Sequence, residues 1–213
     1  MIWPFPDVSC GGILMYNISL FAEDEAHEDF LTALVCRLAD DYHVKINLTS
    51  RSVRGGHGKV ISELKQYQKD LRAYDEGSPD LIIVGTDSNC RGFSARKREI
   101  NQAISADFTD LVICAIPEPH IERWLLLDSG AFKTVLGKGC PAPDQKCERE
   151  RYKCLLIEAV RDAGVVPISG GIEHTEDLVN SMNLLRIAQI DKSMDRLLSA
   201  LQHRFRMWQQ TES

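Results

Sequence analysis

The chain predicts an α/β fold, with a mostly parallel sheet flanked by helices and a helical C-terminal extension. Three features carry this expectation. Short runs of apolar and β-branched residues alternate with longer segments whose apolar residues recur every three or four positions, the periods of buried strands and of amphipathic helices. One run, LIIVGTD at residues 81–87, is apolar until its last two positions, as a strand covered on both faces must be. The patterns follow one another in the order βαβαβαβα, which favours parallel pairing through helical crossovers.

Taken in order, residues 13–21 (ILMYNISLF) read as a buried strand, ending in the acidic turn Ala22-Glu23-Asp24-Glu25. From His27 the spacing puts Phe30, Leu31, Leu34, Val35 and Leu38 on one helical face. Residues 44–48 alternate like a half-exposed strand, and residues 49–59 form a basic, glycine-rich loop. A helix is expected over 60–73, after which Pro79-Asp80 introduces the central strand that ends near Asp87. Residues 94–104 predict a charged helix and 111–116 a further apolar strand; Pro117-Glu118-Pro119 then breaks the chain before IERWLLLD starts another helix. Residues 13–128 are read as the α/β domain. Residues 129–213, with a helix near 152–163, a glycine-marked turn at 164–171 and a helical tail, form an extension able to pack on the same core.

With 213 residues, 44% hydrophobic and 26% charged, the chain has the composition of a folded globular protein, which excludes disordered and collagen-like classes. Its net charge of -6 argues against non-specific coating of nucleic acid but leaves room for a local basic groove. No apolar run reaches the ~18–20 residues of a membrane span, and the start MIWPFPDVSC lacks the basic flank and long apolar stretch of a signal peptide, so a cytoplasmic location is expected. Seven scattered cysteines read as reduced thiols rather than a disulfide framework. Cys140, Cys147 and Cys154 lack the close pairs of a zinc site.

In open parallel sheets, sites form beyond the carboxyl ends of the strands. Glu23, Asp24 and Glu25 follow the first strand, and Asp87 and Asn89 follow the third. If those strands are neighbours, the oxygens converge where a hard cation, Mg²⁺ or Mn²⁺, would bind through one or two carboxylates and keep its waters. The competing reading is an acidic helix N-cap. Arg51, Arg54, His57 and Lys59 lie among glycines that let backbone amides approach an anion, and are candidates for phosphate contact. GGHGKV lacks the glycine spacing and the Ser/Thr of a Walker A loop, so ATP hydrolysis by this chain is not expected. Glu118, held between prolines, and Glu122 add two carboxylates at the same edge, while Trp124 reads as a core residue.

On these residues the chain resembles the Toprim-type nuclease domain, the fold shared by topoisomerases, primases and OLD-type nucleases. There a Glu closes the first strand and an Asp-x-Asp a later one; Glu23 in ISLFAED and Asp87 in LIIVGTD match. IPEPHIERWLL also resembles small Toprim-like proteins encoded beside ABC-type ATPases in bacterial anti-phage defence. The resemblance covers roughly residues 13–128. It implies a metal-dependent nuclease acting on DNA or RNA, the effector of an ATPase-coupled system. Glu23, Asp87 and Glu122 would be catalytic, and Glu23, Asp87 and Asn89 would hold the metal. Asn89 stands where a second acid is expected and contributes no charge, so either Glu118 or Glu122 supplies it or the domain is a degenerate binding module. The alternative function is a non-catalytic adaptor or sensor that docks on an ABC-type ATPase, with the helical tail around Trp208 as its contact. Phosphoryl transfer or phosphatase work on a small nucleotide is a third option.

Overall fold

The computed structural model describes residues 15–52, 55–74 and 77–211. Strands β1 (Tyr16–Ala22), β2 (Ile46–Ser52), β3 (Leu81–Gly85) and β4 (Val112–Ala115) form one all-parallel sheet in the order β2-β1-β3-β4. The chain moves outward from β1 to β2, then crosses back over β1 to β3 and continues to β4. The strand order therefore reverses between β1 and β3, the place where a crevice opens at the carboxyl ends of such a sheet.

Successive side chains of a strand point to opposite faces. Ile18, Leu20, Leu81 and Ile83 enter one buried cluster. Phe21, Ile82 and Val84 enter the other, where they meet Val60 and Leu64 of α2 (His57–Tyr74) and Ile100 of α3 (Phe93–Ala103). The first face is covered by α1 (Glu25–Asp41), then by α4 (Ile121–Leu125), α5 (Ser129–Leu136), α6 (Arg151–Asp162), α7 (Thr175–Ser181), α8 (Leu184–Ile190) and α9 (Lys192–Thr211). The helical extension thus shares one core with α1 and the sheet. Trp208 of α9 stacks on Tyr16 at 4.3 Å between ring centroids and is 7% exposed, so it belongs to this core and not to a docking surface.

Several local expectations are corrected. Pairing of β1 with β2 continues to Phe21↔Arg51 and Ala22↔Ser52, so Arg51 lies in a strand; α2 starts at His57, so His57 and Lys59 lie in a helix and the loop at 49–59 is shorter than expected. Arg54 lies outside the described residues, as does Cys10. Cys90 and Cys147 form a disulfide, against the expectation of reduced thiols; Cys36, Cys114, Cys140 and Cys154 are free. Gly85 ends β3 where a Cβ would sit 2.5 Å from Leu31 Cδ1 and 3.7 Å from His27 Cδ2, so glycine is what lets the first turns of α1 lie against the sheet. No described helix is long and apolar enough to cross a membrane.

Candidate functional site

Hydrogen bonds carry the sheet past its last formal pairs. Glu23 N donates to Gly85 O, Thr86 N to Ala115 O, Ser88 N to Pro117 O and Asn89 N to Pro119 O, all at 3.0–3.1 Å. These bonds hold residues 22–24, 85–89 and 115–120 side by side at the β1/β3 switch.

The Glu23 side chain meets the backbone of Asp87 there. Glu23 Oε2 accepts from the Asp87 amide at 3.0 Å and from Thr86 Oγ1 at 2.5 Å. Its Oε1 accepts no hydrogen bond among the described residues and faces Gly56, whose Cβ, if present, would lie 3.7 Å away. Asp87 is more heavily engaged: Oδ1 accepts from the Ile121 amide at 2.9 Å, and Oδ2 accepts from His120 Nδ1 at 2.8 Å.

A histidine that the sequence reading passed over completes the cluster. His27 is fully buried on α1, with Nδ1 2.8 Å from Asp24 Oδ1 and Nε2 3.1 Å from Asp87 Oδ1. Carboxylates only accept, so both ring nitrogens carry protons and the ring is a cation. Burial opposes that charge, but Asp87 and Asp24 overcome it and raise the His27 pKa to about 10. Burial likewise pushes Asp87 and Asp24 upward, yet the histidines outweigh it and hold both below the usual carboxylate range. The hydrogen bond to Asp87 raises His120, and burial raises Glu122. Asp24 is also the N-cap of α1, accepting from His27 N at 3.0 Å, so the N-cap reading holds for this acid.

Asp24, Asp87, Asn89, His120 and Glu122 border a cavity of about 470 Å³. Arg149, Glu150, Tyr152 and Lys153 also line it, with Glu150 4.0 Å from Arg149 and 3.8 Å from Lys153. The Cys90–Cys147 bridge separates it from a second cavity of about 530 Å³ that reaches Glu118 and Arg196. Glu118 is bound there by Arg196 at 2.7 Å and by the Phe93 amide at 3.3 Å.

The basic candidates disperse. Arg51 lies over the Tyr67 ring at 4.6 Å on the exposed β2 edge, and Lys59 pairs with Glu63 at 2.9 Å. His57 points at the acids from behind: Nδ1 is 3.1 Å from Thr86 Oγ1 and Nε2 2.9 Å from Glu99 Oε2. Burial and the nearby Arg96 charge lower its pKa.

Among the described residues no three His, Cys, Asp or Glu side chains gather as a metal cage. The donor set nevertheless fits a mostly hydrated Mg²⁺-type ion, which asks for one or two carboxylates: among the described residues Glu23 Oε1 accepts no hydrogen bond and Asp87 Oδ2 accepts from His120. Asn89 and Glu122 border the cavity beside Asp87. No family model, curated protein or solved structure matches this chain.

Proposed function

We propose that the chain is a metal-dependent phosphodiester hydrolase of the Toprim-like type, acting on DNA or RNA, and the effector partner of an ABC-type ATPase in anti-phage defence. The observation that carries this reading is the 3.0 Å bond from the Asp87 amide to Glu23, which makes two acids from separate strands neighbours at the reversal of strand order.

Glu23 and Asp87 would hold Mg²⁺ or Mn²⁺, with Asn89 beside them. When bound, such an ion supplies an activated water and charge neutralisation on a phosphoryl group. The chain's own residues do the rest. His27 keeps Asp24 and Asp87 ionised and fixes their orientation. His120, its pKa raised by its bond to Asp87, sits on the cavity wall, where its protonated ring can donate to a phosphate oxygen. Glu122, its pKa raised by burial, is suited to exchange a proton with a leaving oxygen. Arg149 and Lys153 line the same cavity and would bind flanking phosphates.

The test is cleavage of labelled DNA and RNA by purified chain with Mn²⁺ or Mg²⁺, alone and with an ATPase encoded beside it. Metal-dependent cleavage that the Glu23→Ala, Asp87→Ala double variant lacks is the expected result. Equal cleavage by both proteins would reject the assignment.

A further inference from the structure

We propose that Glu99, a residue of α3 that does not border the cavity holding Asp87, is a positioning residue for both Glu23 and Asp87. This rests on the hydrolase reading and adds to it the group that aims the two acids.

Two routes lead from the Glu99 carboxylate to the acids. On the first, His57 lies with Nε2 2.9 Å from Glu99 Oε2 and Nδ1 3.1 Å from Thr86 Oγ1; Glu99 only accepts, so the ring donates there, and it donates through Nδ1 to a lone pair of the Thr86 hydroxyl. The Thr86 hydroxyl has one proton, and the 2.5 Å contact shows that Glu23 Oε2 receives it. His57 thereby limits the rotation of that hydroxyl, and Thr86 fixes which Glu23 oxygen is engaged and which is left free. On the second, Arg96 Nη1 donates to Glu99 Oε2 at 2.9 Å while Arg96 Nε donates to the backbone carbonyl of Asp87 at 2.9 Å. One carboxylate therefore orients the group behind each acid.

Burial separates this arrangement from an ordinary surface ion pair. Thr86 is fully buried, and the side chains of Arg96 and His57 are 7% and 14% exposed. Arg91, at 2.6 Å from Glu99 Oε1, takes the other oxygen from the solvent side. With both oxygens held, Glu99 has little rotational freedom, and the order passes inward through partners that are themselves packed. Groups that orient metal-binding carboxylates from behind commonly govern affinity without touching the ion.

The experiment compares wild type, Glu99→Gln, Glu99→Asp and a control, Glu63→Gln, whose carboxylate pairs only with Lys59 on the surface of α2. Mn²⁺ affinity is read by calorimetry, and the metal-free proteins are compared by NMR at the Asp87 amide and the Thr86 side chain. Glu99→Gln is expected to weaken Mn²⁺ binding by about tenfold to a hundredfold. Glu99→Asp should recover part of that loss, and Glu63→Gln should bind as wild type. In the metal-free protein Glu99→Gln should move both NMR signals. Wild-type Mn²⁺ affinity in a folded Glu99→Gln variant would overturn the proposal. If wild type itself binds no Mn²⁺, the hydrolase reading fails, and the NMR arm still decides: unmoved Thr86 and Asp87 signals overturn the positioning role, and displaced ones uphold it.

Discussion

Two charged clusters meet the chain three residues apart, at His120 and Arg123, and both rest on carboxylates paired with cationic side chains, yet they are finished differently. In one, Arg123 and Asp191 form an ion pair with side chains 3% and 2% exposed. Arg123 also donates to the carbonyls of Asp144 and Glu118, and Asp191 accepts from Ser193 and Met194, so the pair is sealed and saturated. In the other, Asp24, His27, Asp87 and His120 form a chain that begins in the core at a fully buried ring and ends at a cavity, with the Asp24 side chain 53% exposed. The first cluster ties α4, with residues 118 and 144, to the start of α9. Beside the second, Glu23 Oε1 accepts no hydrogen bond among the described residues. A saturated buried pair is a fastening, whereas a buried cation that keeps carboxylates ionised at an opening is the preparation a reaction needs.

The sharpest way to break the comparison is in the sealed cluster. Arg123→Ala strands Asp191 without its counter-charge, and breaking such a pair costs about 3–5 kcal/mol. Urea unfolding should register that loss. A well-packed double replacement, Arg123→Met with Asp191→Leu, should recover much of it, because no buried charge is then left alone.

The open cluster should respond less in stability and more in pH dependence. His27→Gln leaves buried acceptors short of a donor, for roughly 1–3 kcal/mol at neutral pH. The wild-type profile has two limits. His27 is raised to about 10, so its contribution is whole below its ordinary 6.5 and fades as pH rises through about 10. Asp87 is held below its ordinary 3.8, so its contribution is whole above that value and fades as pH falls through the lowered one. Melting curves across pH should show both declines in wild type and a flattened alkaline decline in His27→Gln. An unchanged alkaline decline would mean that the ring is not the charged member.

The smallest effect belongs to the surface. Lys59→Gln breaks an exposed pair with Glu63 and should change stability by less than about 0.5 kcal/mol.

The contrast also explains what the sequence disclosed. Strands β3 and β4 were legible because their burial is written as unbroken apolar runs, and Glu23 and Asp87 were legible as candidates because strand ends in a parallel sheet are where sites form. Their contact needed the strand order as well, which local pattern does not encode. The end of β2 was misread because Thr49–Ser52 is polar on an exposed edge, and only its partner β1 makes it a strand. His27 was missed because a histidine beside Phe30 and Leu31 on a helix looks like any buried helix position. Its one signal was Asp24 three residues earlier, an N-cap able to bind its ring. Glu99 and Arg96 fall in a segment whose sequence predicts only a charged helix, and the Cys90–Cys147 bridge joins residues whose separation of 57 hides their proximity.

In the proposed hydrolase, Glu23 and Asp87 act as one cation-binding pair at the crevice between β1 and β3. Calorimetric titration of Mn²⁺ into wild type and into Glu23→Gln tests it most directly. The account predicts a single binding event in wild type that weakens by at least about tenfold in Glu23→Gln, with the two proteins melting alike. Equal binding by both, or binding by neither, would contradict it.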